Sequence, residues 1–199
     1  SGQVEGRTLL VDFLRDVAGE KNVRIGCEEG ACGACTVMID GKTVKSCLVL
    51  AATCNERTIK TVAALQKNEK LAPIQQSFID SHAVQCGYCT AGMIISAQAF
   101  LDKNVGNDFT DEDIKEALTG NICRCTGYRN ILHAIRAAAG KVKSLSSIES
   151  EKYKGTQCVG KAIPRREDKR LVCGKGKFAD NFGNTNDLHA AAARSTYAH

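Results

Sequence analysis

The sequence predicts an α+β chain: a mixed strand and helix unit over residues 1–66, a bundle of four helices over 67–140, a linker over 141–155, and an incomplete α/β segment over 156–199. Three observations carry that expectation. Asp40-Gly41 sits between two strand-like runs, a hairpin signal because both residue types tolerate positive φ. Beyond residue 70 the apolar positions change to a helical period. Lys141 to Lys154 is rich in Lys, Ser and Glu and has no apolar period.

The elements follow in order. Leu9, Leu10, Phe13, Leu14 and Val17 recur at helical spacing, with Gly19 as a stop. Val23 to Ile25 is expected to be a short strand leading into a Gly/Cys loop. Thr36 to Ile39 and Thr43 to Ser46 form the hairpin, and Thr58 to Val62 alternates like a third strand. Pro73 opens a helix carrying Ile74, Phe78 and Ile79. Met93, Ile94, Ala97, Phe100 and Leu101 form a second stripe. Thr110 and Asp113 have capping-box spacing ahead of Ile114, Ala117 and Leu118. Ile131, Leu132 and Ile135 form a fourth stripe, closing near Gly140. Residues 155–199 carry short strand-like pieces and too little apolar surface for a core of their own.

Composition narrows the function classes. The 199 residues are 43% hydrophobic and 25% charged, ordinary for a globular chain. No apolar run approaches the roughly 18–20 residues of a membrane span. A net charge of +5 with few aromatics gives no nucleic-acid surface. The 11 cysteines are the outlier. They fall in tight local clusters, which suits metal ligation in a reducing compartment, expected to be the cytoplasm, rather than a secreted disulfide scaffold. Both chain ends read as cut.

Cys27-x4-Cys32-x2-Cys35, followed after eleven residues by Cys47, has the spacing of plant-type 2Fe-2S ferredoxins. Small residues between them (Gly26, Gly30, Ala31, Gly33, Ala34) let a loop wrap closely and turn its amides toward sulfur. A zinc site more often uses paired Cys-x2-Cys knuckles. The first unit is therefore expected to be a ferredoxin-like β-grasp domain. The second set is Cys86-x2-Cys89 and, thirty-three residues on, Cys123-x-Cys125, each at a junction between predicted helices. Spacing alone leaves zinc and a second cluster equally open. Arg124 and Arg129 offer charge beside it or are a solvated helix start. A zinc-thiolate interaction module without redox role is the alternative reading.

The segments Gly26 to Val37, Gln85 to Met93 and Gly120 to Tyr128 closely resemble the iron–sulfur motifs of the molybdenum hydroxylases, the group of xanthine oxidase, aldehyde oxidoreductase and aerobic carbon monoxide dehydrogenase. The resemblance covers about residues 7–140. Val159 to Asp168, Gly174 to Asp180, Leu188 to Ala190 and Arg194 to His199 resemble the start of the family's molybdenum-binding subunit, as in a fused gene that breaks off inside a domain. The family's strand pair before the first helix has no counterpart in Ser1 to Arg7.

The resemblance implies two 2Fe-2S clusters, one on Cys27, Cys32, Cys35 and Cys47, the other on Cys86, Cys89, Cys123 and Cys125. It implies an electron-transfer subunit with no catalytic residues and no substrate site of its own. Its partners would be a large subunit holding the molybdenum–pterin (molybdopterin) cofactor and an FAD-binding subunit or another acceptor. Gln85 and the backbone at Cys125 match positions that contact the pterin. Gly174-x-Gly176 is only a fragment of a dinucleotide fingerprint and is expected to be a turn. Cys54, Cys158 and Cys173 are left over and expected to be inert thiols. His82, His133, His189 and His199 are expected to be structural.

Overall fold

A computed structural model describes residues 2–146, 163, 165–182, 188 and 190–197. Cys158, His189, His199 and most of the linker lie outside the described residues.

The first helix is α1 (Leu10–Asp12), which continues as a π-helical turn over Phe13–Val17. Its apolar stripe buries Leu10, Val11 and Leu14. The hairpin forms as expected: β1 (Thr36–Ile39) pairs antiparallel with β2 (Lys42–Lys45), and Asp40 and Gly41 between them take φ of 47° and 81°. The third strand, β3 (Ile59–Lys60), is shorter than its sequence pattern, because Val62–Leu65 turns into a 3-10 helix. The sheet order is β2-β1-β3. Val23 to Ile25 is not a strand. The run is held instead by side chains, with the Arg15 guanidinium donating to the Val23 carbonyl at 2.8 Å.

The four helices of the second unit are α2 (Pro73–Asp80), α3 (Thr90–Lys103), α4 (Asp111–Ala117) and α5 (Arg129–Ala138). Pro73 occupies the first turn of α2. Thr110 and Asp113 form the reciprocal box: the Asp113 amide donates to the Thr110 hydroxyl oxygen at 3.2 Å, and the Thr110 amide donates to the Asp113 carboxylate at 2.7 Å. Ile74, Phe78, Met93, Ile94, Ile95, Ile114, Ile131 and Ile135 are all but sealed from solvent. Each contributes on the order of 1.5–3 kcal/mol by burial.

Two cores share one strand. Every residue of β1 is buried. Val37 and Ile39 face the core of α1, and Met38 faces the core of the helices. This double burial joins the two units through one strand.

The C-terminal segment departs from the strand-like expectation. Its described residues form α6 (Asp168–Val172), and Leu171, Val172 and Cys173 join the core of the helical unit. A segment with too little apolar surface for its own core thus lends that surface to a neighbour's. Gly174 takes φ +76° in the turn after α6, packed on Asn22 and Val62, so Gly174-x-Gly176 is the expected turn.

Candidate metal centres

The first four thiols come from two structural sources. Cys27, Cys32 and Cys35 lie on the loop after Ile25, which ends in β1. Cys47 lies in the 3-10 turn Ser46–Leu48 that follows β2. The hairpin sets β1 beside β2, so Cys35 and Cys47 meet, with sulfurs 3.3 Å apart. Cys32 and Cys27 meet likewise, and the Cys32 amide donates to the Cys27 sulfur at 3.3 Å. The expected amide cage is present. Cys27 receives N–H groups of Cys32, Glu29 and Ala31, which with the Cys32 thiol hold its pKa down at about 7. Cys32 receives the amide of Ala34, and Cys47 that of Gly30. Burial, with the Cys35 thiol beside it, pushes the Cys47 thiol up to about 11. Thiolates are the metal-binding form of cysteine, and the inward amides offset their charge.

The second four thiols sit on two interhelical loops. Cys86 and Cys89 precede α3, and Cys123 and Cys125 precede α5. They too form facing pairs, Cys86 with Cys125 and Cys89 with Cys123. Burial raises the thiols of Cys86 and Cys89, and neighbouring thiols raise them further. Cys123 is the exception. Burial pushes it up, but the Thr126 hydroxyl, 3.2 Å from its sulfur, and the amides of Thr126 and Cys125 lower it overall.

In both sets the thiols face each other two by two. A mononuclear zinc site needs four ligands converging tetrahedrally on one point. A binuclear cluster held by four thiolates takes them as two pairs. The arrangement fits the binuclear group.

The two loops are fastened together by residues the sequence reading did not single out. Asn121 is buried, accepts from the Ser96 hydroxyl at 2.7 Å and donates to the Gly33 carbonyl at 3.1 Å. The Ile122 amide donates to the Cys32 carbonyl at 2.8 Å, one residue from Cys123. Lys45 donates to the Gly120 carbonyl and, at 3.2 Å, to the Thr36 hydroxyl. Burial lowers the Lys45 pKa from its usual value, while the thiols of Cys35, Cys32, Cys47 and Cys27 pull it back up. Tyr88 donates to the Ile25 carbonyl at 2.6 Å across the two units. The Tyr128 hydroxyl accepts from the Cys123 amide at 2.8 Å and donates to the Asn121 carbonyl at 3.2 Å. Both tyrosines stand inside the cysteine motifs, and that position was the available signal.

The C-terminal segment closes over the first loop of the second set. Leu171 lies against Gly87, where any Cβ would collide with it. Arg165 donates to the carbonyls of Val84 at 3.1 Å and Gln85 at 2.7 Å, and is itself held by the buried Asp168. The Gln85 side chain, Cys86 and Cys125 remain exposed, as are Arg124 and Arg129. Cys54 and Cys173 are buried.

Residues 3–67 match the family described as 2Fe-2S iron-sulfur cluster binding domain, and residues 61–136 match that described as 2Fe-2S binding domain. The caffeine dehydrogenase subunit gamma of Pseudomonas sp. (strain CBB1) is 42% identical over 148 residues, 74% of this chain and 89% of that subunit. This chain belongs to the iron–sulfur subunits of the molybdenum hydroxylases. The nicotinate dehydrogenase small FeS subunit of Eubacterium barkeri is 50% identical over 65% of this chain and 81% of its own length. The aldehyde oxidoreductase of Desulfovibrio desulfuricans superposes with a TM-score of 0.79 at 35% identity, covering 90% of this chain. The chain spans only 20% of that enzyme, against most of the small subunits. As a molybdenum hydroxylase iron–sulfur subunit it carries two 2Fe-2S binding domains, and it is an electron-transfer component of an oxidoreductase complex. The zinc-module alternative is set aside by the same matches. No helix among the described residues is long and apolar enough to cross a membrane.

Proposed function

We propose that this chain links a molybdenum–pterin centre on a large partner subunit to a flavin subunit or another acceptor. Cys27, Cys32, Cys35 and Cys47 hold the outer cluster, and Cys86, Cys89, Cys123 and Cys125 hold the cluster on the pterin side. The observation that carries the ligand assignment is the facing of thiols in pairs within each set. When bound, each cluster supplies a one-electron carrier.

The chain's own residues do the rest. Amides of Glu29, Ala31, Cys32 and Ala34 offset thiolate charge in the first loop. The Thr126 hydroxyl and nearby amides do so at Cys123. The exposed Gln85 and Cys125 offer an amide side chain and a main-chain group to the pterin, and Arg165 fixes the Gln85 main chain. Residues 156–199 belong to the beginning of a molybdenum-subunit-like domain. A reducing compartment, the cytoplasm, suits the unpaired thiols.

The test is iron and acid-labile sulfide per chain, with EPR after dithionite reduction. Two 2Fe-2S domains predict four iron, four sulfide and two distinct S = 1/2 signals. Zinc in place of iron, with no signal, overturns the reading. Cys47→Ser is expected to remove one signal and Cys89→Ser the other.

A further inference from the structure

Lys45 occupies a built position between the two cysteine sets. Its ammonium reaches the Gly120 carbonyl, in the turn that leads to Cys123, and the Thr36 hydroxyl beside Cys35. Two glycines make the room: a Cβ on Gly33 would lie 2.8 Å from Nζ, and one on Gly120 would lie 2.9 Å from it. The side chain is half-buried. The hairpin register sets Lys45 opposite Thr36, next to Cys35, and two residues before Cys47. Near the second set, Arg124 and Arg129 are exposed and therefore screened by solvent, and Arg165, which reaches the Gln85 carbonyl, is paired with the buried Asp168. The acidic neighbours of the first set, Glu28 and Glu29, also lie at the accessible edge of the molecule.

We propose that Lys45 is a positioning residue that sets the relative reduction potentials of the two clusters. Its charge stabilises the extra electron on the cluster of Cys27, Cys32, Cys35 and Cys47, so the electron rests on the outer cluster rather than the pterin-side one. Each reduced cluster carries one more negative charge than its oxidised form, and a fixed positive charge beside one of them favours reduction there. The inference rests on the ligand assignment proposed above.

The experiment is an EPR-monitored redox titration of the full chain carrying both clusters, compared with Lys45→Gln, Lys45→Met and Lys45→Arg. Two signals titrating as separate one-electron waves in the parent protein, one lost in Cys47→Ser and the other in Cys89→Ser, establish the ligand reading whatever the Lys45 variants do. The signal lost in Cys47→Ser identifies the outer cluster. Lys45→Gln keeps a donor for the Gly120 carbonyl but removes the charge. It is expected to move the shared electron roughly tenfold toward the pterin-side cluster, about 59 mV for a one-electron couple. Lys45→Met is expected to do the same, and Lys45→Arg to hold the parent order. Unchanged midpoints in Lys45→Gln overturn the proposal, as do equal shifts of both clusters. Should Lys45→Gln fail to retain its clusters, Lys45→Met is read in its place, and unchanged midpoints there overturn the proposal. A fall of the outer potential in Lys45→Arg, with the charge still present, refutes it as well.

Discussion

Replacing Gly92 by Ala tests whether the two units touch as closely as described. Gly92 lies in α3, where Ala is the better helix former by about 1 kcal/mol. Propensity alone therefore predicts a more stable protein. The structure predicts the opposite. A Cβ at Gly92 would lie 2.2 Å from the Gly33 carbonyl oxygen and 3.1 Å from that of Ala34. Both are main-chain atoms, and Gly33 cannot step aside, because its carbonyl is bound by Asn121 and by the Thr36 hydroxyl at 2.7 Å. Overpacking of this kind costs typically 1–3 kcal/mol. A contact this short against backbone belongs at the upper end, so after the helix gain the net loss is about 2 kcal/mol. Urea unfolding of parent and variant, both loaded with iron and sulfide, reads the difference from the midpoint. Because the clash bears on the Gly33 turn between Cys32 and Cys35, the outer EPR signal is expected to broaden while the other is unaltered. A variant more stable than the parent by about 1 kcal/mol would refute the close approach and leave α3 an ordinary helix at that point.

Asn121→Leu strands the Ser96 hydroxyl in the buried seam and removes the Asn121 bond to the Gly33 carbonyl, and unfolding measurements are expected to show a loss of about 1–3 kcal/mol. Gln75→Leu breaks bonds from its fully buried amide to Val62 at 3.1 Å and Val172 at 3.0 Å, and limited proteolysis is expected to cut the segment around α6 first. Thr110→Ala removes the cap of α4 and is expected to cost about 1 kcal/mol in urea unfolding. The pH dependence has a definite sign. Hydrogen bonds from the Thr110 amide and hydroxyl hold Asp113 below its usual value near 3.8, as the Arg57 side chain and Thr58 amide hold Asp40. A lowered carboxylate stabilises the fold above its unfolded pKa and loses that contribution as pH falls through the folded one. An Asp40→Asn, Asp113→Asn double variant is thus expected to be less stable than the parent at pH 6, with the gap closing as pH drops below about 4.

What was legible in the sequence was whatever local chemistry enforces. Asp40-Gly41 dictates its turn, Pro73 and the Thr110–Asp113 box dictate their helix starts, and the cysteine spacings bring eight thiols into two sets. What was not legible depended on distant partners. Val23 to Ile25 has strand-like residues but finds no strand to pair with, since Arg15 and Tyr88 take its carbonyls. The helix α6 was missed because only three of its residues and neighbours, Leu171, Val172 and Cys173, meet a core, and that core belongs to another unit. Lys45 looks like any exposed hairpin lysine until Gly120, 75 residues away, arrives opposite it.

The clasp on Arg24 gives the chain a timetable. Arg24 is 2% exposed, yet its guanidinium is held by Gly176 at 2.5 Å and Asn181 at 2.6 Å and stacks 4.5 Å above the Phe178 ring, which in turn meets Tyr88 edge-on. These partners lie 152 and 157 residues downstream. At a synthesis rate of roughly 5–20 residues per second, they follow Arg24 out of the ribosome by about 8–30 seconds. For that interval the entrance to the first cysteine loop exists without this clasp, and the long-range closure waits on Gly176 and Asn181.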